Sequence, residues 1–249
     1  MNLDPATNTN VAASVGGTQL DDAGWIVGLL QAGDSFYPTG SYAHSFGLEG
    51  LVQENVVRDR ATLREFIFQS VLPSLQWVEL PLATHAWQAF GSGDWQKIAE
   101  LCSLSSALKA SQELRGASAN VGRQRAELVA LLRPNAVAGE YLRRASEADW
   151  PFSAAVSAAL EGRVLGAPQV AVLSGMYYAN VASLLSAAMK VLRLGQNAAQ
   201  SLLTEALVAA PTVIAAAMEV PVDGIGWFNP WLDIAAARHE TADARMFIS

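Results

Sequence analysis

Nothing in this chain limits its fold more than the stretch between Arg163 and Lys190, which contains no Asp, Glu, Lys or Arg. A segment of that length without charge has two physical outlets, a lipid bilayer or the inside of a protein. A bilayer helix needs about 20 predominantly apolar residues. Here Pro168, Gln169, Asn180 and several serines interrupt the run, and alanine supplies much of its apolarity. The segment therefore reads as a helix buried in protein, and no membrane association is expected. Alanine has the best helix propensity and the smallest chiral side chain, so such helices pack with their backbones close. The neighbouring segments 151–162, 168–194 and 196–218 share this composition, each opened or closed by Pro or Gly.

The rest of the chain carries the same period. Asp21 leads into Trp25, Ile26, Leu29 and Leu30, a stripe along one side of a helix. Leu63, Phe66, Ile67, Ser70 and Val71 repeat it, and Leu75, Val78, Leu82 and Trp87 follow Pro73. Asp94 is placed to cap a helix opening at Trp95, and a long helix from Ser111 to Leu132 ends at Arg133-Pro134. The segment from Val220 to Trp231, with Pro221, Gly224, Gly226 and Pro230, reads as a loop before a last short helix around 232–239. Alternating β-branched runs bounded by turns do not occur. The expected fold is all-α: a single compact domain of about eight to eleven helices over 21–249, behind a flexible Asn-, Thr- and Gly-rich tail at 1–20.

Composition removes several functional classes. With 249 residues, 51% hydrophobic and 16% charged, the chain has the balance of a globular protein. A formal net charge of -7 opposes nucleic-acid binding, which depends on Lys and Arg meeting phosphate. The lone cysteine, Cys102, leaves no internal disulfide and reads as core, and this fits a cytoplasmic, reducing setting. No G-x-x-x-x-G-K-[ST] loop, dinucleotide fingerprint or G-x-S-x-G elbow is present; Gly224-Ile225-Gly226 lacks the strand and the third glycine. His44, His85 and His239 lie far apart without a partner at ligand spacing, so a metal site is left undefined.

Two segments stand out. Asp34-Ser-Phe-Tyr-Pro-Thr-Gly-Ser-Tyr-Ala-His-Ser-Phe-Gly-Leu-Glu49 joins two apolar helices, with Thr39 or Ser41 as the expected N-cap of the second. It is either a tight turn whose hydroxyls cap the backbone or a polar surface used by a ligand or partner. An acid/base pair of His44 and Glu49 would sit about 140° apart on a helix, an awkward geometry for cooperation. The C-terminus, Arg238-His-Glu-Thr-Ala-Asp-Ala-Arg-Met-Phe-Ile-Ser249, alternates charge with apolar residues and either folds back or orders on a partner.

These two segments resemble the UreF family of urease accessory proteins, as do Glu113-Leu-Arg-Gly-Ala-Ser and Arg193-Leu-Gly-Gln-Asn-Ala-Ala-Gln200 between them. The four matches come in the family's order and span about 21–249. The resemblance implies an all-α homodimer without turnover of its own, which joins UreD (also called UreH) and the GTPase UreG on apo-urease. GTP hydrolysis would there be coupled to nickel delivery and carbamylation of the active-site lysine. No cofactor would be bound tightly, since nickel and GTP are handled by the complex. The UreD contact would fall on 241–249, with Arg245, Phe247 and Ser249, together with His239 and Glu240. Tyr42, His44, Ser45 and Glu49 would serve partner surfaces or the nickel path. An arginine lent to the GTPase would come from Arg115, Arg123 or Arg125, each of which also reads as an ordinary surface charge. A helical adaptor unrelated to urease is the competing reading. Many members carry a histidine-rich stretch where this chain has Asp149-Trp-Pro-Phe-Ser153, which puts a metal role there in doubt. Tyr177-Tyr178 has no functional reading.

Overall fold

A computed structural model describes residues 23–40 and 47–229. Among the described residues the chain forms nine helices and no strand. Helix α1 is Gly24–Gly33 and α2 is Leu48–Gln53. Helix α3 begins at Arg60–Phe66 and continues unbroken to 92. Then come α4 (Trp95–Ala107), α5 (Gln112–Leu132), α6 (Ala136–Glu147), α7 (Ala154–Val164), α8 (Gln169–Val191) and α9 (Gln196–Met218). A 3-10 turn, Val222–Gly224, lies in the expected loop.

The caps explain most boundaries. Asp94, Ser111, Asn135 and Ser153 each accept a backbone N–H from the first turn of the helix they open, and Asp59 with Thr62 forms a reciprocal capping box. The second helix of the 34–49 segment differs from expectation. The described helix opens at Gly47, whose φ of 78° lies in the left-handed region, and not at Thr39; Ser41 lies outside the described residues. Thr39 is buried within the preceding turn.

Helix α3 holds a feature the periodicity did not suggest. Two prolines, Pro73 and Pro81, stand inside it. Each is preceded by a π-helical turn, Ile67–Val71 and Leu75–Glu79. Leu72 N–H donates to the Ile67 carbonyl and Leu80 N–H to the Leu75 carbonyl, five residues back in both cases. A proline ring clashes with the carbonyl four residues back and offers no N–H. The wider turn absorbs the extra residue and relieves the clash, so the chain continues as one rod roughly 50 Å long.

Helix α7 is the hub. It packs against the 80–92 part of α3 on one side and α5 on the other, while α8 and α9 pair beside them. Residues on all sides of α7 are buried, among them Val156, Ser157, Ala159, Leu160 and Glu161. Its small residues let neighbours come close: a side chain at Gly122 on α5 would meet the Ser153 backbone at 2.6 Å. Two aromatic layers finish the core, with Tyr141 edge-on to both Phe90 and Phe152 at 5.5 Å. Cys102 is buried beside the Tyr141 hydroxyl, and burial pushes its thiol up to about 11.

The two longest apolar helices, α8 and α9, have the length and composition to cross a membrane. They pack on each other and on α3. The stripe on α1 does not form a core face as a whole: Gly28 is its one buried residue, while Val27 and Leu30 are each 70% exposed.

Candidate functional site: a cleft closed by a buried carboxylate

Small side chains on α5, α7 and α8 leave space between these helices that they do not fill. Ala117, Ala155, Ala158, Gly175 and Ala179 line a cleft of about 270 Å³. Asp34, Trp227 and Asn229 also border it, from the loops that follow α1 and the 3-10 turn. The motif 113–118 contributes Leu114, Ala117 and Ser118 to the wall, and Ser118 Oγ accepts the Ala154 N–H at 3.3 Å.

Two ion pairs border the cleft. Lys109 Nζ meets Glu79 Oε1 at 3.0 Å and also donates to the Ser105 carbonyl and hydroxyl. Farther along α5, by about 16 Å from Leu114, Arg125 Nη1 pairs with Glu161 Oε2. Glu161 is 1% exposed, a carboxylate inside the core. Its other oxygen accepts the Tyr37 hydroxyl at 2.6 Å and lies 3.7 Å from Arg133 Nη1. Arg125 also stands over the Tyr37 ring, 5.8 Å from its centre, and Arg133 Nη2 donates to Gln31 Oε1. Burial, then the bond to Glu161, raise the Tyr37 phenol above its ordinary value, so it stays a donor.

A buried carboxylate is tolerable only when paired and hydrogen-bonded. Glu161 meets that condition with groups from α5, its following turn, and the loop after α1. The sequence reading missed this cluster. Its one signal was an isolated glutamate in an otherwise apolar, alanine-rich segment. Arg125 is correspondingly not the surface charge it resembled. Arg115 is also engaged, donating to the Lys109 and Ala110 carbonyls at 2.7 Å each, while Arg123 is exposed and lies over the Phe152 ring.

The remaining expected residues fall as follows. Glu49 is buried in the first turn of α2. Tyr42, His44, Ser45, His239, Glu240, Arg245, Phe247 and Ser249 lie outside the described residues, as do the 1–20 tail and the helix around 232–239. His85 Nε2–H donates to the Val220 carbonyl at 2.8 Å, which ties the last loop to α3. At the position where the resemblance carries histidines, Ser153 caps α7 and donates to Ser105 Oγ at 2.8 Å, and Trp150 packs on the core. Tyr177 and Tyr178 divide between interior and surface: the Tyr177 hydroxyl donates to the Ala206 carbonyl at 2.6 Å, and Tyr178 is exposed. Among the described residues no group of three His, Cys, Asp or Glu side chains could hold a metal ion.

The arrangement is thus an all-helical body with an apolar cleft, ion pairs that lock its walls, and apolar residues left on the outside. A family model for UreF matches residues 57–207. The chain is 33% identical over 225 residues to the urease accessory protein UreF of Azoarcus sp. (strain BH72), which covers 90% of this chain and 95% of that one. It is 32% identical to UreF of Paenarthrobacter aurescens (strain TC1), over 89% of this chain and 96% of the relative. UreF of Bacillus sp. (strain TB-90) is 27% identical over 90% of this chain and 99% of its own. The chain belongs to the UreF family of urease accessory proteins, and its role lies in urease maturation.

Proposed function

We propose that this protein is a non-catalytic assembly subunit that joins UreD (UreH) and the GTPase UreG on apo-urease in the cytoplasm. GTP hydrolysis on UreG is then coupled to nickel insertion and lysine carbamylation, with nickel as cargo of the complex and no tightly held cofactor here. Coupling requires that this subunit bind one state of the GTPase better than the other. The observation that carries the reading is large apolar side chains left exposed on several elements, among them α1 and the loop after it, where Val27 and Leu30 are largely exposed and Phe36 is 94% exposed. Such exposure fits a surface that a partner covers. The chain acts as a homodimer, and UreD is engaged by 241–249 through Arg245, Phe247 and Ser249, with His239 and Glu240 nearby. Tyr42, His44, Ser45 and Glu49 serve a partner surface or the nickel path.

The test is co-purification with the cognate UreD and UreG, comparing the full chain with one ending at Ala244, with light scattering for mass. Assembly by the full chain alone, with both chains helical by circular dichroism, supports the tail as anchor. Equal assembly by both removes the tail from that role. Failure of folded full chain to bind any urease partner overturns the scaffold reading.

A further inference from the structure

Pro81 changes the bonding of one carbonyl on α3. In a regular helix the N–H of residue 81 takes the carbonyl four residues back, that of Trp77, and proline has no N–H to give. The helix passes the ring by the π turn Leu75–Glu79, where Leu80 N–H donates to the Leu75 carbonyl. The Trp77 carbonyl is met instead from outside the helix, by Gly226 N–H at 3.0 Å. Gly226 closes the Gly224-Ile225-Gly226 stretch of the last loop. Helix α3 holds the same loop a second time, through His85 Nε2–H on the Val220 carbonyl at 2.8 Å, and Val220 and Ile225 are both buried. Directly after Gly226, Trp227 and Asn229 border the cleft, and residues 230–249 follow. Pro73 supplies an internal comparison. It too is preceded by a π turn, Ile67–Val71. Among the described residues, however, no backbone N–H from a loop meets the carbonyl four residues before it, on Gln69.

We infer that Pro81 is a positioning residue for the C-terminal segment: by withholding an N–H from the Trp77 carbonyl it leaves that acceptor to Gly226, and so fixes the point from which the chain runs on to the segment that engages UreD. The inference rests on the assembly reading above, in which UreD is the partner of 241–249. A segment that starts from a fixed point loses less freedom when a partner orders it, and its effective concentration at the partner is higher. Proline inside a helix is destabilising, and π turns are frequent at functional positions. At Pro81 the disruption supplies a bond to another part of the chain, which at Pro73 it does not.

The experiment separates the loop from the helix that holds it. Hydrogen exchange is followed at the Gly226 amide, with the amides of α5 and α7 as internal reference, and co-purification with the cognate UreD is measured on the same variants. Pro81→Ala places an N–H four residues after Trp77 and lets the helix claim the carbonyl. It is expected to speed exchange at Gly226 about tenfold, the size of one ordinary hydrogen bond, to leave α5 and α7 unchanged, and to lower the yield of UreD. Pro73→Ala makes the same chemical change in the same helix and should leave both readouts at the parent level. Gly226→Pro removes the donor without touching α3. A side chain at 226 meets Leu108 at 3.8 Å, an ordinary contact, and Ile225 with ψ of 118° already has the backbone that precedes a proline. This variant should lower the yield of UreD as Pro81→Ala does. Unchanged exchange at Gly226 in Pro81→Ala overturns the inference, as does equal loosening in Pro73→Ala, which marks a general softening of α3. Faster exchange with a parent yield of UreD overturns the role in assembly. If the parent chain captures no UreD, the assembly reading fails, and exchange at Gly226 still decides whether Pro81 holds the loop.

Discussion

At the scale of single residues, Glu161 and two glycines make the most specific claims. Removing the Glu161 side chain leaves Arg125 and Arg133 charged and without their carboxylate. Glu161→Ala should therefore destabilise the fold by about 3–5 kcal/mol, the usual cost of stranding a buried charge, measured by chemical denaturation. Gly122 and Gly116 lie on the same helix but respond oppositely. A methyl at 122 runs into the backbone around Ser153, which cannot step aside, whereas at 116 there is open space within 4 Å. Gly122→Ala should cost about 1–3 kcal/mol, and Gly116→Ala should gain about 0.5–1 kcal/mol by stiffening the unfolded chain. Equal effects at both sites would contradict the close α5–α7 contact. The buried cysteine and the 94 cap were legible in the sequence, because each is decided by its immediate neighbours. Glu161 was not, because its partners come from 28 to 124 positions away in sequence order.

At the scale of elements, hydrophobic period and Pro/Gly punctuation located most helices, since both act within one or two turns, but not α6 between Asn135 and Ala148. The exceptions are instructive. Pro73 divides the pattern in the sequence, yet π turns let α3 pass through it and through Pro81, an outcome that packing along the whole rod decides. The α1 stripe looks like a core face, yet nothing in the chain records how little of it the other helices cover. Helix α6 offers a pH prediction. Arg143 and Arg144 donate to Glu140 and hold its carboxyl down to about 2, from an ordinary 4.5. A depressed carboxylate favours the folded state above its ordinary value, and that contribution fades as pH falls from about 4.5 toward 2. The group faces solvent, so the effect is small and screened by salt. Helicity followed from pH 5 to 2 should fall less steeply in Glu140→Gln than in the parent chain, and the difference should shrink in high salt. A difference that grows with salt would contradict the ion-pair origin.

At the scale of the whole molecule, protection and exposure divide the chain. Helix α7 is buried on every side and should be among the last to exchange its amides, while α1 opens early. The outer face of α9 belongs to the exposed part. Ser201, Thr204, Val208, Pro211, Thr212 and Ala215 lie on it in solvent, all of them uncharged, and Glu205 beside them is already paired with Arg60 and Arg64. A twofold contact sets one patch against its own copy, so like charges would face each other unless the patch has none. Small, neutral side chains also allow two helices to approach closely. This makes α9 the preferred face for the proposed homodimer, and Val208, 78% exposed, a direct probe of it. Val208→Lys should give a folded monomer by light scattering where the parent chain gives twice that mass, with thermal unfolding unchanged at low concentration. A Val208→Lys chain that still doubles its mass would move the dimer contact to another face. The exposed residues of α1 would then be the next place to put a charge, and Leu30→Lys would read out dimer formation and partner assembly in the same sample.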